Sequence, residues 1–519
     1  MNNSRTKNAV RNIFSGFFNR IIMMVFLFII RTVIIKTLGS EYLGINSLFT
    51  SILQVLNLAE LGFSSAIVYS MYKPIAEKDN KTICTLMNLY KKIYTIIGIV
   101  ILTVGICIMP FLKYLIKGSY PADINLYVVF ALYLINTSFT YFLFAYKSAI
   151  LVANQRSDIT NNVLTFTSLI QYILQIIVLF TTRNYYMFMI ANIITTALNN
   201  IIVAIIAKKQ YPEISCQGEV NEEIKKDIKK RTSGLMINKI CQTTRNSLDS
   251  IFISAFLGLN MVAIYNNYYT IMSAVVNVFG IMINAIIAGV GNSIVTESKE
   301  KNYNDMNKFN FMYMWLVGLS TICLLCLYQP FMKVWMGDSM LLPFGMVILF
   351  CIYFYALKMG DIRAVYSDAK GLWWENRYRA IAESIANVVL NFVLGKIWGI
   401  YGIIIATLIS LVIINYIYGS QILFKYYFTQ VSVKDFFKRH IEYIITTVAI
   451  AVITYYICNK ILLNGILEII VKLCICLIIP NIFYYLIYSK TKIFKESKEF
   501  VKDNIINKKE SKNEDFISK

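Results

Sequence analysis

The chain has 519 residues, of which 57% are hydrophobic and only 15% are charged. A soluble protein of this length cannot bury so much apolar surface, so the composition indicates an all-α integral membrane protein. The formal net charge of +21 does not indicate a nucleic-acid partner. Its basic residues lie between apolar runs, where the positive-inside rule places them. A single histidine, His440, excludes hydrolytic or metal chemistry built on several histidines.

Runs of about 20 apolar residues are long enough to cross a bilayer as helices, and they predict about fourteen transmembrane helices. The first six are expected at about 16–36, 46–70, 88–112, 124–146, 160–181 and 185–207. Six more are expected at about 233–257, 262–290, 311–334, 344–366, 379–398 and 400–424. The last two are expected at about 442–460 and 464–488.

These groups of spans predict the domain organisation. It consists of an N-lobe at 1–207, a cytoplasmic linker at 208–231, a C-lobe at 232–425, two C-terminal helices within 426–488, and a charged cytoplasmic tail at 489–519.

An internal repeat supports the two lobes. Leu38-Gly39 aligns with Leu257-Gly258, and at a spacing longer by a single position Tyr146 aligns with Tyr366. Repeats with an even number of spans keep the same orientation in the membrane. We therefore expect two six-helix lobes around a central cavity, which is a common position for a transporter site.

The distribution of lysine and arginine predicts the orientation. With both termini in the cytoplasm, about 36 of the 50 basic residues fall on the cytoplasmic side and about seven in the outer loops. The outer loops are all short, so they leave no room for an extracellular domain.

The ten cysteines show no metal-ligand spacing. Cys323 and Cys326 form a C-x-x-C pattern inside an apolar run, where we interpret them as small packing residues rather than a redox pair. We predict no metal and no other cofactor.

The predicted span at 233–257 carries a polar stripe. On a helical period Arg245 and Asp249 share one face, with Lys239 at its edge. An ionisable residue inside a membrane is costly unless it faces a partner or water, so this stripe indicates a cavity wall. Alternatively, Arg245 and Asp249, spaced i and i+4, neutralise each other.

A second polar stripe lies in the predicted span at 46–70 and includes Glu60. We expect this stripe to face the cavity or a neighbouring span rather than lipid. Glu60 could pair with an arginine of the first span, gate the cavity, or bind a coupling ion, either a proton or a sodium ion. Asp249 is the second candidate for gating or ion coupling.

Short motifs occur in order along nearly the whole chain. They are RTVIIKTLGSEYLGI at 31–45, NLAELGF at 57–63, FLG at 256–258, YNNYY at 265–269, DAKGL at 368–372 and GIYG at 399–402. Together they resemble bacterial polysaccharide transporters of the multidrug/oligosaccharidyl-lipid/polysaccharide exporter superfamily. The resemblance implies a two-lobed transporter that flips a polyprenyl-diphosphate-linked oligosaccharide for capsule, O-antigen or a related wall polymer.

Such a substrate requires cations in the cavity, because its lipid diphosphate headgroup is anionic. Arginine binds phosphate oxygens bidentately and stays charged. The candidate substrate-binding cations within the predicted spans are Arg20, Arg31, Lys239, Arg245 and Arg363. All except Arg245, which is expected to lie deepest, could instead extend to a membrane interface.

Three functions are compatible with these features. The first is a flippase in the bacterial cytoplasmic membrane that performs no covalent chemistry. The second is a membrane-embedded polysaccharide polymerase or ligase, which would need a large outer loop with catalytic residues. The third is a cation-coupled drug exporter of the same superfamily, whose cavity should be dominated by acidic residues.

Overall fold

The computed structural model of the chain describes the backbone of residues 2–57 and 63–502. Within these ranges, the side chains that it leaves undescribed are those of residues 2–10, 13, 14, 17, 65, 227, 229–242, 244–246 and 288. Over the described residues all regular structure is helical, which confirms the predicted all-α fold.

Nineteen α-helices follow one another over these residues. The first ten are α1 (Asn2–Thr37), α2 (Ser40–Leu56), α3 (Phe63–Glu77), α4 (Asn80–Ile108), α5 (Leu126–Phe142), α6 (Ser148–Ala153), α7 (Ser157–Thr182), α8 (Tyr185–Gln210), α9 (Glu222–Leu257) and α10 (Leu259–Thr296). The remaining nine are α11 (Lys299–Met336), α12 (Phe344–Met359), α13 (Asp361–Ala369), α14 (Arg377–Trp398), α15 (Ile400–Ile409), α16 (Gly419–Tyr426), α17 (Val433–Asn459), α18 (Ile466–Tyr488) and α19 (Lys492–Val501).

The chain is a multi-pass membrane protein. In the part that the structure describes, 11 helices are long and apolar enough to cross a membrane, and a bent helix pair at residues 126–153 raises the number to 12. The other two predicted spans correspond to α2 with α3 and to α9. These helices adjoin or contain the residues that the structure leaves undescribed, so the prediction of about fourteen spans agrees with the observed helices.

Three helical regions of the structure differ in detail from the spans predicted from the apolar runs. Helix α9 begins at Glu222, inside the predicted linker, because Asn221 caps it by accepting a hydrogen bond from the amide of Glu223. The predicted tenth span is divided at Gly360 into α12 and α13. The predicted twelfth span contains a π-helical segment, Ser410–Tyr418, between α15 and α16.

By their internal contacts the residues form two compact units, and the first consists of Met1–Asn266 with Asn391–Ile403. In this unit α1 packs on α7, and polar pairs join the two helices. Asn19 Nδ2 donates to Thr165 Oγ1 at 2.8 Å, and Arg11 Nε lies 2.8 Å from the Asp158 carboxylate. Helix–helix hydrogen bonds of this kind are a common means of association where lipid offers no polar partner.

The second unit consists of Asn267–Leu390 with Ile404–Lys519. Its central element is α11, which packs against α12, α17, α18 and α19. Aromatic and polar contacts fix this packing: Trp315 Nε1 donates to Asn481 Oδ1 at 2.8 Å, and Thr447 and Tyr484 share a hydrogen bond of 2.8 Å. The predicted lobe boundaries at 207 and 232 stay a prediction.

The helices of the first and second parts of the chain correspond at a nearly constant spacing. The first residue of α11 follows the first residue of α4 at the same spacing that separates Leu257 from Leu38, which is called the longer spacing. The last residue of α16 follows the last residue of α8 at a spacing three positions shorter, which is called the shorter spacing. Residues with positive φ follow the same two spacings. The longer spacing relates Gly39 to Gly258 and Gly118 to Gly337, and the shorter spacing relates Gln155 to Gly371 and Arg183 to Gly399.

This correspondence supports the internal repeat expected from the sequence, but it corrects one detail. The predicted pairing of Tyr146 with Tyr366 uses a separation one position greater than the longer spacing. In this region the ends of α6 and α13 are related by the shorter spacing. The two tyrosines therefore lie about one helical turn out of register.

Candidate functional site

Arg363 is a buried arginine in the first turn of α13. Its side chain is only 4% exposed, and Nη2 donates to Oδ1 of Asn415 at 3.3 Å. The Nε atom is buried without a hydrogen-bond partner among the described residues. Arg363 is therefore held by an amide oxygen, which does not neutralise the charge of the guanidinium.

A glycine makes room for this guanidinium. Gly419 begins α16, and a Cβ atom at this position would overlap Nη1 of Arg363. Any side chain at position 419 would force the arginine to shift. Gly419 therefore allows the guanidinium to lie against the backbone of α16.

A carboxylate lies close to this group but is engaged elsewhere. Glu383 Oε2 accepts hydrogen bonds from Arg379 Nη1 at 2.9 Å and from Asn415 Nδ2 at 2.8 Å. Among the side chains that the structure describes, no carboxylate lies within ion-pair distance of Arg363. The cluster of Arg363, Arg379, Glu383 and Asn415 thus contains two guanidiniums and one bound carboxylate, which favours an anion near Arg363.

Lys358 is another buried cation in the same unit, but it already has a carboxylate partner. Its Nζ lies 2.7 Å from Oδ2 of Asp361, which also accepts from the hydroxyl of Tyr313 at 2.5 Å. An internally neutralised pair of this kind is less suited than Arg363 to bind an incoming anion.

The two predicted cations of α1 differ in their surroundings. Arg31 is 7% exposed, whereas Arg20 is exposed. Burial of an arginine in an apolar helix is expected where it faces the protein interior. Arg31 is therefore the better candidate of the two for an interior site.

Asp249 is a buried carboxylate on α9 with two polar partners from other helices. It is 2% exposed, and its two oxygens accept from the hydroxyl of Tyr265 at 3.0 Å and from Nδ2 of Asn391 at 2.9 Å. Donors of this kind stabilise an ionised carboxylate. These two donors therefore lower the cost of burying the Asp249 carboxylate.

The structure does not test the other predicted site residues. Glu60 and the side chains of Lys239 and Arg245 lie outside the described residues. The pairing of Arg245 with Asp249 stays a prediction.

The sequence predictions missed Asn415, Arg379 and Asn391. The spacing of α14 offered a signal, since Arg379, Glu383, Asn387 and Asn391 recur every four residues and so share one face of a helix. Asn415 gave no such signal, because it is a single polar residue in an apolar run.

Comparison with solved structures identifies the fold. The structure of the lipid II flippase MurJ in an inward closed conformation aligns with a TM-score of 0.61 and 17% identity, over 92% of this chain and 99% of that chain. An inward-facing multidrug resistance MATE family transporter of the MOP superfamily aligns with a TM-score of 0.57 and 15% identity, over 77% of this chain and 94% of that chain. The chain has the MurJ/MATE fold.

A mutant of the Vibrio cholerae MATE transporter VcmN also has the MurJ/MATE fold, with a TM-score of 0.54, 15% identity, and coverage of 82% of this chain and 98% of that chain. No protein-family model and no curated protein matches the sequence. These neighbours are described as a flippase and as transporters.

Proposed function

We propose that this protein is a flippase that moves a polyprenyl-diphosphate-linked oligosaccharide from the cytoplasmic to the outer leaflet. It acts by alternating access in the bacterial cytoplasmic membrane, with both termini in the cytoplasm, and serves surface polysaccharide export. The observation that carries the proposal is the likeness in fold to a lipid II flippase, which extends over 92% of this chain and 99% of that one.

The chemistry of the substrate fits the buried arginines. A lipid diphosphate must leave water as an anion, and a guanidinium offers it paired hydrogen bonds as well as charge. Arg363 has an amide as its only described hydrogen-bond partner. In this proposal Arg31 and Arg363, each buried within its own unit, are the first candidates for binding the headgroup. Arg20, Lys239 and Arg245 are further cations of the same kind.

A coupling ion drives the cycle in this proposal. Asp249 is buried and has hydroxyl and amide partners. A proton or a sodium ion that binds its carboxylate can neutralise the charge. Glu60 is the second acidic candidate.

A cation-coupled exporter of small cations is the second candidate function. Two observations favour it: the MATE transporters share the fold, and Asp249 supplies the kind of buried acid that such a cavity needs. Both functions use Asp249, so the requirement that separates them is Arg363, on which a flippase of diphosphates depends and an exporter of cations does not.

The test is a gene deletion complemented by variants. We expect the deletion strain to accumulate a diphosphate-linked oligosaccharide in the inner leaflet and to lose surface polymer, and the wild-type gene to restore both. Arg363→Gln should lower the restored polymer roughly tenfold or more, because hydrogen bonds to charged groups contribute about 1.5–3 kcal/mol.

The matched control is Arg377→Gln. The Arg377 guanidinium stacks 3.9 Å from the Trp374 ring centre, outside the cluster at Arg363, and its loss should leave complementation unchanged. If no lipid-linked sugar accumulates and surface polymer is unchanged, the flippase proposal is wrong. Normal complementation by Arg363→Gln would contradict only the role of this arginine.

A further inference from the structure

Cysteines from three helices meet inside the second unit. Cys326 on α11, Cys458 on α17 and Cys476 on α18 place their sulfur atoms within 4.8 Å of one another, and each of the three is at most 3% exposed. Cys323, one turn before Cys326 on α11, packs against this group. These four residues are called the thiol cluster.

The distances among the sulfur atoms of Cys326, Cys458 and Cys476 suit a shared metal ion. A metal bound to thiolates at about 2.3 Å in tetrahedral geometry holds its sulfur atoms about 3.8 Å apart. Cys458 Sγ and Cys476 Sγ are 3.9 Å apart. A disulfide would require a separation of about 2.0 Å, so bond formation would need a movement that metal binding does not.

Packing alone explains a single buried cysteine, since a thiol behaves as a small apolar group. It does not explain why three helices each direct a thiol to one point. The C-x-x-C pattern, interpreted from the sequence as packing, is thus only half of a larger constellation. Its other members, Cys458 and Cys476, lie far along the chain on two different helices.

A cavity connects the thiol cluster to the ends of the helices. It has a volume of about 480 Å³ and is lined by Cys326, Cys458, Lys333, Asp338, Glu468 and Lys472. A metal ion needs such an entry path, and the thiol protons need an exit. The polar lining provides both.

The same cavity is lined by the ammonium group of Lys472. Lys472 Nζ lies 2.6 Å from the Glu468 carboxylate, and Lys472 stands one turn from Cys476 on α18. Because this ammonium group is paired with Glu468, it offsets only part of the negative charge that thiolate ligands bring into a buried place.

We infer that the thiol cluster binds one thiophilic d10 metal ion, Zn²⁺ or Cu⁺, through Cys326, Cys458 and Cys476, with Cys323 as a fourth ligand. Soft thiolate ligands select these ions over hard cations. On binding, each ligating thiol loses its proton to water through the cavity, and a sulfur–metal bond replaces the sulfur–hydrogen bond. The ion joins α11, α17 and α18 and thereby stabilises their packing.

The experiment measures metal on the purified full-length protein in detergent. The protein is loaded with Zn²⁺, or with Cu⁺ under anaerobic reducing conditions, then freed of unbound ion, and its metal content is determined by mass spectrometry. We expect one equivalent per chain of one of these ions, and the ion retained identifies the natural preference.

Variants locate the ion. Cys458→Ser and Cys476→Ser should each lower metal affinity by about tenfold or more, since loss of even an outer contact at a metal site costs that much. Cys474→Ser is the matched control, because Cys474 lies on the same helix as Cys476 but is exposed, and it should retain the full equivalent.

Three outcomes would overturn the inference. One is wild-type protein that retains no more Zn²⁺ or Cu⁺ than a variant lacking all four cysteines of the cluster. Another is a disulfide between Cys458 and Cys476, found by peptide mapping of the purified protein without reductant. The last is equal loss of metal in Cys474→Ser and Cys476→Ser. The wild-type measurement decides the question even if the serine variants fail to fold.

Discussion

Two buried residues of opposite charge, Arg363 and Asp249, show how this protein holds ions inside an apolar helix array. Arg363 donates to one amide oxygen, and Asp249 accepts from a hydroxyl and an amide. Hydrogen bonds to neutral groups lower the cost of burying a charge without cancelling it. These bonds therefore lower the cost of burying either residue in the protein interior.

Asp249→Asn tests the role of the buried carboxylate in coupling. The amide has nearly the same shape but no charge, so we expect the variant to fold and to lose the dependence of transport on a proton or sodium gradient. Polymer export by the complemented deletion strain is measured while each gradient is collapsed in turn.

Glu77→Gln is the control for Asp249→Asn, because Glu77 is an exposed acid whose carboxylate lies 3.9 Å from the amine of Lys73. This variant should respond to both gradients as the wild type does. An Asp249→Asn protein with normal gradient dependence would show that the carboxylate has only a structural role.

The sequence identified these charges but not their partners. Arg363 and Asp249 stand out because ionisable residues are rare in apolar runs. Their partners Asn415 and Asn391 lie 52 and 142 residues away along the chain. Such pairings depend on which helices become neighbours, and hydropathy does not contain that information.

At the scale of helices, the turn between α1 and α2 and the turn between α9 and α10 share one conformation. Gly39 has φ 111° and ψ 172°, and Gly258 has φ 89° and ψ 174°. Only glycine adopts this region readily, because a Cβ atom meets the neighbouring backbone. The two turns differ in their surroundings, however.

Alanine at these two glycines separates backbone strain from packing. Gly39→Ala should destabilise the protein by about 1–3 kcal/mol through strain alone, since beyond its own chain neighbours a Cβ at position 39 meets nothing within 4 Å. Gly258→Ala should cost more, because its Cβ would also lie 2.8 Å from the carbonyl oxygen of Lys117.

Thermal unfolding of the purified variants in detergent provides the measurement for this pair. Gly280→Ala is the control: Gly280 lies inside α10 in open space, without positive φ, and alanine favours helices. It should be neutral or slightly stabilising. Equal unfolding temperatures for Gly39→Ala and Gly258→Ala would refute the close approach of Lys117.

Hydropathy predicted the long apolar helices well but not the interruptions within them. Helices α7, α8 and α18 coincide with predicted spans to within a few residues. The division at Gly360 and the π-helical segment Ser410–Tyr418 leave no trace in an apolar run. A break or a π-bulge changes hydrogen bonding along the backbone, whereas hydropathy averages over side chains.

At the scale of the whole chain, the distribution of basic residues predicts cytoplasmic termini and short outer loops. Alkaline phosphatase fused at residue 118 or residue 461 should be active, since both positions are predicted to lie outside, where its disulfides form. The same enzyme fused at residue 210 or at the C-terminus should be inactive.

Green fluorescent protein at the same sites is the control, since it should fluoresce only at residue 210 and the C-terminus. The reverse pattern would place the termini outside. If the phosphatase is active at residue 118 but not at residue 461, the chain crosses the membrane one time fewer between these positions than predicted.

The paired positive-φ residues carry a consequence for how the two halves of the chain can diverge. At the longer spacing both members of each pair are glycine, whereas at the shorter spacing Gln155 and Arg183 stand opposite Gly371 and Gly399. The glycine pairs have φ of at least 86°, but Gln155 and Arg183 lie near the left-handed helical region at 60° and 49°, which other residues tolerate. After an ancestral duplication, mutations could thus replace glycine at the turns related by the shorter spacing but not at the turns related by the longer spacing. In such a history the backbone preserves the ancestry of the chain longer than its side chains do.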